Sequence, residues 1–442
     1  MKKSFLQSCG MIVSFCLLCF SFTPVSLAED YHRSVGELMM LASGTKSFNG
    51  FVDPAFTPED IAIGDEALSY GDPEFEPYGS RMVFQDRLSN NSIWVDFLNP
   101  ETGEFGTKDG KNILVDTGVA PLKESRQGPE WGVSKEGSAL FYSKKDAKGI
   151  MQIWRATFED SKIRTQQLTH SRQNMYGVFA SQSPASDSIK IACIQGEVAT
   201  GSAVWFDENT PMDITILPNA YFWVKSFRFS PDARYLFYSY QSSRNKYEKG
   251  KAQLAMMDTT SKQVKILTND PGNKDEPCPF IAPEFGHELC VASTVDNEKI
   301  AIYRDMKDPS GFWSKVAEIE MPEESKHPFI HSLELVQAEN RNFQCSYLAT
   351  VAYPDNEGDG KSVREDGSLW LFGLGDHLAR RVDQAMPGHK LEPEIWLGKQ
   401  EVFFYYSFID LDKNPNIALL RRCKTGLSTL LRYSHANPGL FR

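Results

Sequence analysis

The sequence predicts an all-β fold, a β-propeller of seven four-stranded antiparallel blades, with six as the alternative count. Three observations lead there. A strand–turn–strand unit recurs along the chain, and Phe229-Ser230-Pro231-Asp232-Ala233-Arg234-Tyr235-Leu236-Phe237-Tyr238-Ser239 is its clearest copy. Its second strand carries apolar residues on both faces, Tyr235 and Phe237 on one and Leu236 and Tyr238 on the other, so both faces must be covered. The copies return every ~45–60 residues, the length of one blade with its loops. A unit that cannot bury its own apolar faces packs on its neighbours. Solenoids repeat at shorter periods and sandwiches do not repeat, which leaves the propeller.

The chain of 442 residues begins with a segment that reads as an export signal, residues 1–28. Lys2 and Lys3 precede the apolar run Met11 to Phe22, and Ser26 and Ala28 place small residues before a cut ahead of Glu29. The run is about a dozen residues, against the roughly 20 that a membrane-spanning helix needs. The expected location is therefore the periplasm or outside the cell, and the mature chain is not expected to be an integral membrane protein. Residues 29–70 read as an N-terminal extension or cap in which Val35 to Ala42 suits one or two helical turns, and residues 71–442 as the propeller.

The first blade is read from Pro73-Glu74-Phe75, Met82-Val83-Phe84 and Ile93-Trp94-Val95. The second follows from Pro129-Glu130-Trp131, Leu140 to Ser143 and Gln152-Ile153-Trp154. The third is weaker, with Phe179, Ile189 to Ala192 and Val204-Trp205-Phe206. The fourth is the best copy and runs on to Ala252–Asp258. The fifth has Pro279-Phe280, Leu289 to Ser293 and Ile300 to Tyr303. The sixth, also weak, has Leu333 to Leu335, Tyr347 to Val351 and Leu369-Trp370-Leu371. The seventh has Glu392 to Trp396, Val402 to Tyr405 and Ile417 to Leu420. Ring closure takes either a strand from residues 45–70 or one from the C-terminus.

The Ser-Pro-Asp turn and the strand after it resemble the WD40-like Pro-Asp (PD40) repeats of TolB-type β-propellers. Ser230, Pro231, Asp232, Leu236, Phe237 and Ser239 carry the match, and Leu168-Thr169 and Leu267-Thr268 resemble that family's blade endings. Ala233 stands where the family's turn has Gly, which implies a turn with little demand for positive φ. The resemblance covers roughly residues 70–425 and implies fold and envelope location; it implies activity only weakly, because propellers host unrelated functions.

With 58 acidic and 47 basic residues the net charge is −11, and this long-range field repels phosphate, so no nucleic-acid partner is expected. Export removes Cys9, Cys16 and Cys19, leaving Cys193, Cys278, Cys290, Cys345 and Cys423. Cys278 and Cys290 are read as buried free thiols, a disulfide between neighbouring strands of one sheet being the alternative. The remaining cysteines form no CxxC pair, and no nucleophile elbow, P-loop or H-E-x-x-H occurs; His287-Glu288 lacks the second His.

Candidate functional residues follow from position. His170, His327, His331 and His389 lie in segments leading into a blade's first strand, and such segments converge on one mouth of the channel. Imidazoles meeting there suit a divalent metal, as in the uronide lyases that this repeat class resembles. Arg126, Asp275 and Glu276 enter blades by the same route. The loops Tyr240 to Gly250 and Asn356 to Lys361 are long and polar; they read as insertions. The expected binding set is Arg126, His170, Asp275, Glu276, His331 and His389. The expected function is a monomeric, non-enzymatic module that binds an envelope protein or a saccharide without a cofactor. The alternative is a metal-assisted lyase or hydrolase acting on an acidic saccharide.

Overall fold

The computed structural model describes residues 59–428, apart from 64–67, 78, 87, 89, 106–111, 160–161, 198–200, 221–226, 242–251, 322–327, 341–342, 355–366, 376–378, 384–387, 399–400, 411–412 and 414–416. The signal segment, the helical turns at Val35 to Ala42, His327 and the bodies of the two long loops lie outside the described residues.

Seven four-stranded antiparallel sheets follow one another along the chain. Strand β1 (Asp60–Ile63) precedes blade 1, which holds β2 (Tyr70–Phe75), β3 (Arg81–Asp86), β4 (Ser92–Phe97) and β5 (Ile113–Asp116). A short helix, α1 (Leu122–Ser125), leads to blade 2, with β6 (Glu130–Ser134), β7 (Gly137–Lys145), β8 (Met151–Glu159) and β9 (Lys162–Gln167). Blade 3 is β10 (Met175–Ala180), β11 (Lys190–Gln195), β12 (Ser202–Asp207) and β13 (Thr215–Ile216). Blade 4 is β14 (Phe227–Phe229), β15 (Tyr235–Tyr240), β16 (Gln253–Asp258) and β17 (Val264–Ile266). Blade 5 is β18 (Lys274–Ile281), β19 (Leu289–Val295), β20 (Lys299–Arg304) and β21 (Ser314–Glu320). Blade 6 is β22 (Pro328–Asn340), β23 (Phe343–Pro354), β24 (Ser368–Gly373) and β25 (Ala379–Arg381). Blade 7 takes β26 (His389–Leu397), β27 (Glu401–Ile409) and β28 (Leu419–Ser428), and β1 completes it by pairing with β28. The two weak sequence units, the third and sixth, are full blades.

The core lies in the seams between blades. Met82 and Phe84 of β3 pack against Phe403 and Tyr405 of blade 7, while Val83 between them packs against Leu140 and Tyr142 of blade 2. In β15, Leu236 and Tyr238 join the cluster of blade 3, and Phe237 joins that of blade 5. The period of two in the sequence thus serves two neighbours at once. Each fully buried side chain of this kind contributes about 1.5–3 kcal/mol.

The Leu-Thr endings have a structural role. Thr169 Oγ1 accepts the Ile153 N–H and donates to Gln152 Oε1, and Thr268 repeats the arrangement with Leu254 and Gln253. The hydroxyl satisfies a strand N–H where the outer strand ends.

One expectation is corrected, and the free-thiol reading of Cys278 and Cys290 is borne out. Ala233 has φ +56, so its turn does require the left-handed conformation; the Ala233 N–H donates to Ser230 O at 2.8 Å and closes the turn despite the strain on a Cβ-bearing residue. Cys278 and Cys290 are free buried thiols. Cys278 pairs with Ala292 and Cys290 with Phe280, so the two are diagonal neighbours two rungs apart, beyond the usual Cα separation of a disulfide.

Closure rests on charge as well as on the β1–β28 ladder. Asp60 is buried and accepts from the Tyr406 hydroxyl at 2.8 Å and from Arg421 Nε at 2.8 Å. D60A leaves a partly buried guanidinium without its carboxylate and is expected to destabilise the protein by ~1–3 kcal/mol. D60N, which retains an acceptor for Tyr406, should lose less. Urea denaturation of the three proteins measures this, and equal stability of D60A and wild type would contradict it.

Candidate functional site in the axial channel

The first strand of every blade lines the axis, and these seven strands run in the same direction. Their equivalent residues therefore form rings. Five of them share a bulge whose residue is left-handed: Asp72 (φ 49), Gly177 (φ 66), Glu276 (φ 50), Ser332 (φ 58) and Glu392 (φ 52). Only Gly adopts this conformation without strain. The acidic bulge residues use it to reach the next blade. Glu392 of blade 7 accepts the Asp72 N–H at 2.7 Å, Asp72 of blade 1 accepts the Gly128 N–H ahead of blade 2, and Glu276 of blade 5 accepts the Leu333 N–H of blade 6 at 3.3 Å.

Two residues past each bulge stand Glu74, Phe179, Cys278, Glu334 and Glu394, and Glu130 follows Gly128-Pro129 as Glu74 follows Asp72-Pro73. In blade 4 the innermost strand contributes Arg228. These groups lie within reach of one another's fields. Burial, reinforced by Glu130, Glu394, Asp72 and Glu334, holds the Glu74 carboxyl well above the ordinary range. Burial pushes Glu130 up to about 8, with Arg228 opposing and Asp72 and Glu334 adding to the rise. Burial works against the Arg228 charge, yet Glu334, Glu130 and Glu74 hold its pKa above the ordinary value. Arg228 pairs with Glu334, two blades away, and its guanidinium lies 5.7 Å from the centre of the Phe179 ring. The small Cys278 of the intervening blade leaves room for that reach. Arg228 is the only cation among the described groups of this ring, set against four glutamates.

At the mouth, the expected residues divide. Asp275, Glu276 and His331 come together: His331 Nδ1 pairs with Glu276 Oε1, and Ser239 Oγ of blade 4 donates to Asp275 Oδ1 at 2.9 Å. Burial and the neighbouring Glu276 push Asp275 up to about 6. Arg126 is exposed and caps α1 in a left-handed conformation, its N–H donating to Leu122 O. His170 is exposed on the connection from blade 2 to blade 3, 3.0 Å from the Gln167 amide. His389 is partly buried at the start of β26, opposite Ile409. These three stand on separate connections. Among the described residues no three His, Cys, Asp or Glu side chains are placed to hold a metal ion.

Sequence reasoning used Pro73-Glu74, Pro129-Glu130 and Pro393-Glu394 as strand markers and missed their charge. The signal was present in the repeated Pro-Glu pair at one register position of three blades; Arg228 and Glu334 carried none.

No family model matches the chain, and no curated protein matches it. Among solved structures it is similar to a prolyl endopeptidase, with 10% identity and a TM-score of 0.47 over 81% of this chain and 50% of that one. The chain thus spans about half the length of that protein. It is also similar to the β-propeller domain of Swd1 from Myceliophteria thermophila, with 10% identity and a TM-score of 0.46 over 83% and 99% of the two chains. TolB from Acinetobacter baumannii matches with 12% identity and a TM-score of 0.36 over 78% and 79%. These likenesses carry nothing about what the channel binds.

A carboxyl whose pKa is higher folded than unfolded stabilises the protein below its unfolded value, and that stability is lost as pH rises through the folded value. For Glu130 the window runs from its ordinary value of 4.5 to about 8. E130Q should therefore flatten the fall in stability across this window and be the more stable protein at pH 8. Denaturation at pH 5, 6.5 and 8 tests it; parallel profiles for E130Q and wild type would refute the assignment.

Proposed function

We propose that this protein is an exported, non-enzymatic binding module whose axial channel receives a cationic segment of a protein partner. One observation carries the reading: Glu74, Glu130, Glu334 and Glu394 stand on the innermost strands, and Arg228, paired with Glu334, is the only guanidinium among the described groups of their ring. Carboxylates crowded in a desolvated channel are raised in energy, and a lysine or arginine side chain relieves that repulsion while gaining charge-assisted hydrogen bonds. A polyuronate would bring further carboxylates against the same ring, so an acidic saccharide is the poorer fit. Glu276 and His331 stand at the entrance, with Asp275 behind them, where a partner would first meet the protein.

The overall charge of −11 has the same sign as the ring and steers a basic partner toward it. Ring closure gives the carboxylates fixed positions, so little is lost to ordering when the partner docks.

The test is fluorescence anisotropy with a labelled Lys/Arg-rich peptide, an acidic peptide of equal length and an oligogalacturonate. The basic peptide should bind, and E74Q/E394Q should weaken it by ~10-fold or more, equivalent to about 1.4 kcal/mol. Added salt should weaken it as well. Binding of the oligogalacturonate in preference to the basic peptide, or unchanged affinity in E74Q/E394Q, would overturn the reading.

A further inference from the structure

We propose a second binding site, away from the axis in the seam between blades 4 and 5, that takes an uncharged saccharide unit. A pocket of about 340 Å³ opens there, within the ~300–1,000 Å³ range usual for small ligands. The connection after β17 forms one side with Asp270, and the outer strands of blade 5 form the other with Lys299, Tyr303, Trp313, Lys315 and Glu318.

The charges of this pocket are already matched. Lys299 Nζ lies 2.7 Å from Glu318 Oε1, and Lys315 Nζ lies 2.6 Å from Glu318 Oε2. These hydrogen bonds overcome the effect of burial and hold the Glu318 carboxyl below its ordinary value. Asp270 accepts from the Tyr303 hydroxyl at 3.0 Å and lies 3.2 Å from Lys274 Nζ. An anion or a cation entering the pocket would have to compete with one of these pairs.

A hydroxyl-bearing ligand would not. Each carboxylate offers about four lone-pair directions and each ammonium three N–H groups, so donors and acceptors remain after the internal pairs are made. Trp313 supplies the other half of the argument. Its ring is 7% exposed and packs edge-on to Phe237 with centroids 5.9 Å apart, and its indole N–H is buried without an acceptor among the described residues. A buried donor left unmade costs about 1–3 kcal/mol. An indole and Val295 beside matched donors and acceptors suit a sugar ring, apolar across its C–H face and polar around its rim. This site shares no residue with the carboxylate ring, and its test is independent of the peptide assay.

The experiment uses the mature protein with 15N-labelled tryptophan, the Trp313 indole signal being the one missing from W313F. Neutral methyl glycosides of hexoses and N-acetylhexosamines are titrated to ~10 mM, a range that reads any Kd in the millimolar region or tighter. Galacturonate and lysine methyl ester serve as charged probes. The Trp313 signal should move saturably with at least one neutral glycoside and stay in place with both charged probes. W313F and E318Q should each weaken binding by ~5-fold or more, about 1 kcal/mol. Glu318 lies at the partly exposed edge, so E318Q keeps the test open if W313F does not fold. A Trp313 signal unmoved by every neutral glycoside, or E318Q binding with wild-type affinity, would overturn the proposal.

Discussion

A blade with apolar residues on both faces has no stable end, because whichever blade comes last leaves a face and a strand edge in water. The ring removes that problem only if its last sheet is completed, and here β1 completes it from the opposite end of the described chain. The Asp60 carboxylate, buried against Arg421 and Tyr406, ties the closing strand to the two strands beside it. The alternating side chains of β3 and β27 then have a neighbour on each side, and apolar clusters fill the seams from blade 6 through blade 7 and blade 1 to blade 2.

Closure brings seven innermost strands around one axis and so places like-charged residues from distant parts of the sequence within one another's fields. The arrangement is tolerated through two devices. Bulges with left-handed residues turn some carboxylates toward backbone N–H groups of the following blade, as Glu392, Asp72 and Glu276 do. Their strain is offset by charge-assisted bonds that lock successive blades in register. One arginine crosses the remaining carboxylates, with Phe179 beneath it and Glu334 in its grip. What is left over is a set of crowded carboxyls, with burial and mutual repulsion favouring the protonated form of Glu74 and Glu130, and the proposed preference for a cationic segment rests on it.

Buried cations elsewhere support the scaffold. Lys190 Nζ donates to Ala233 O at 2.7 Å across the seam between blades 3 and 4, against the very turn that matches the Pro-Asp motif. Lys274 Nζ donates to Pro271 O at 2.6 Å and Gly272 O at 2.9 Å in the loop that enters blade 5. Lys390, at the same position of blade 7, pairs with Asp383. These amines satisfy loop carbonyls and carboxylates that would otherwise lack a partner, Lys274 and Lys390 at the mouth and Lys190 at the opposite end of the blades.

The blades themselves were legible in the sequence because strand periodicity and turn chemistry are local. Phe237 between Leu236 and Tyr238 states its two faces within three residues, and Leu-Thr marks the end of a blade by a hydroxyl that acts only a strand away. Even the poor third and sixth units kept enough alternation to be placed. The identity of the closing strand, the left-handed Ala233 and the site could not be read this way. They depend on which residues lie across the axis, and Glu74 and Glu394 are 320 positions apart along the chain yet act on the same field. Position along a strand was enough to bring Glu276 and His331 together, because adjacent blades are neighbours in sequence order. It did not gather His170 and His389 with them, since convergence on one mouth fixes a face of the ring and not a distance. Local pattern determined the repeating unit and its count; the strand that closes the circle, and the carboxyls this gathers at its centre, came from tertiary packing alone.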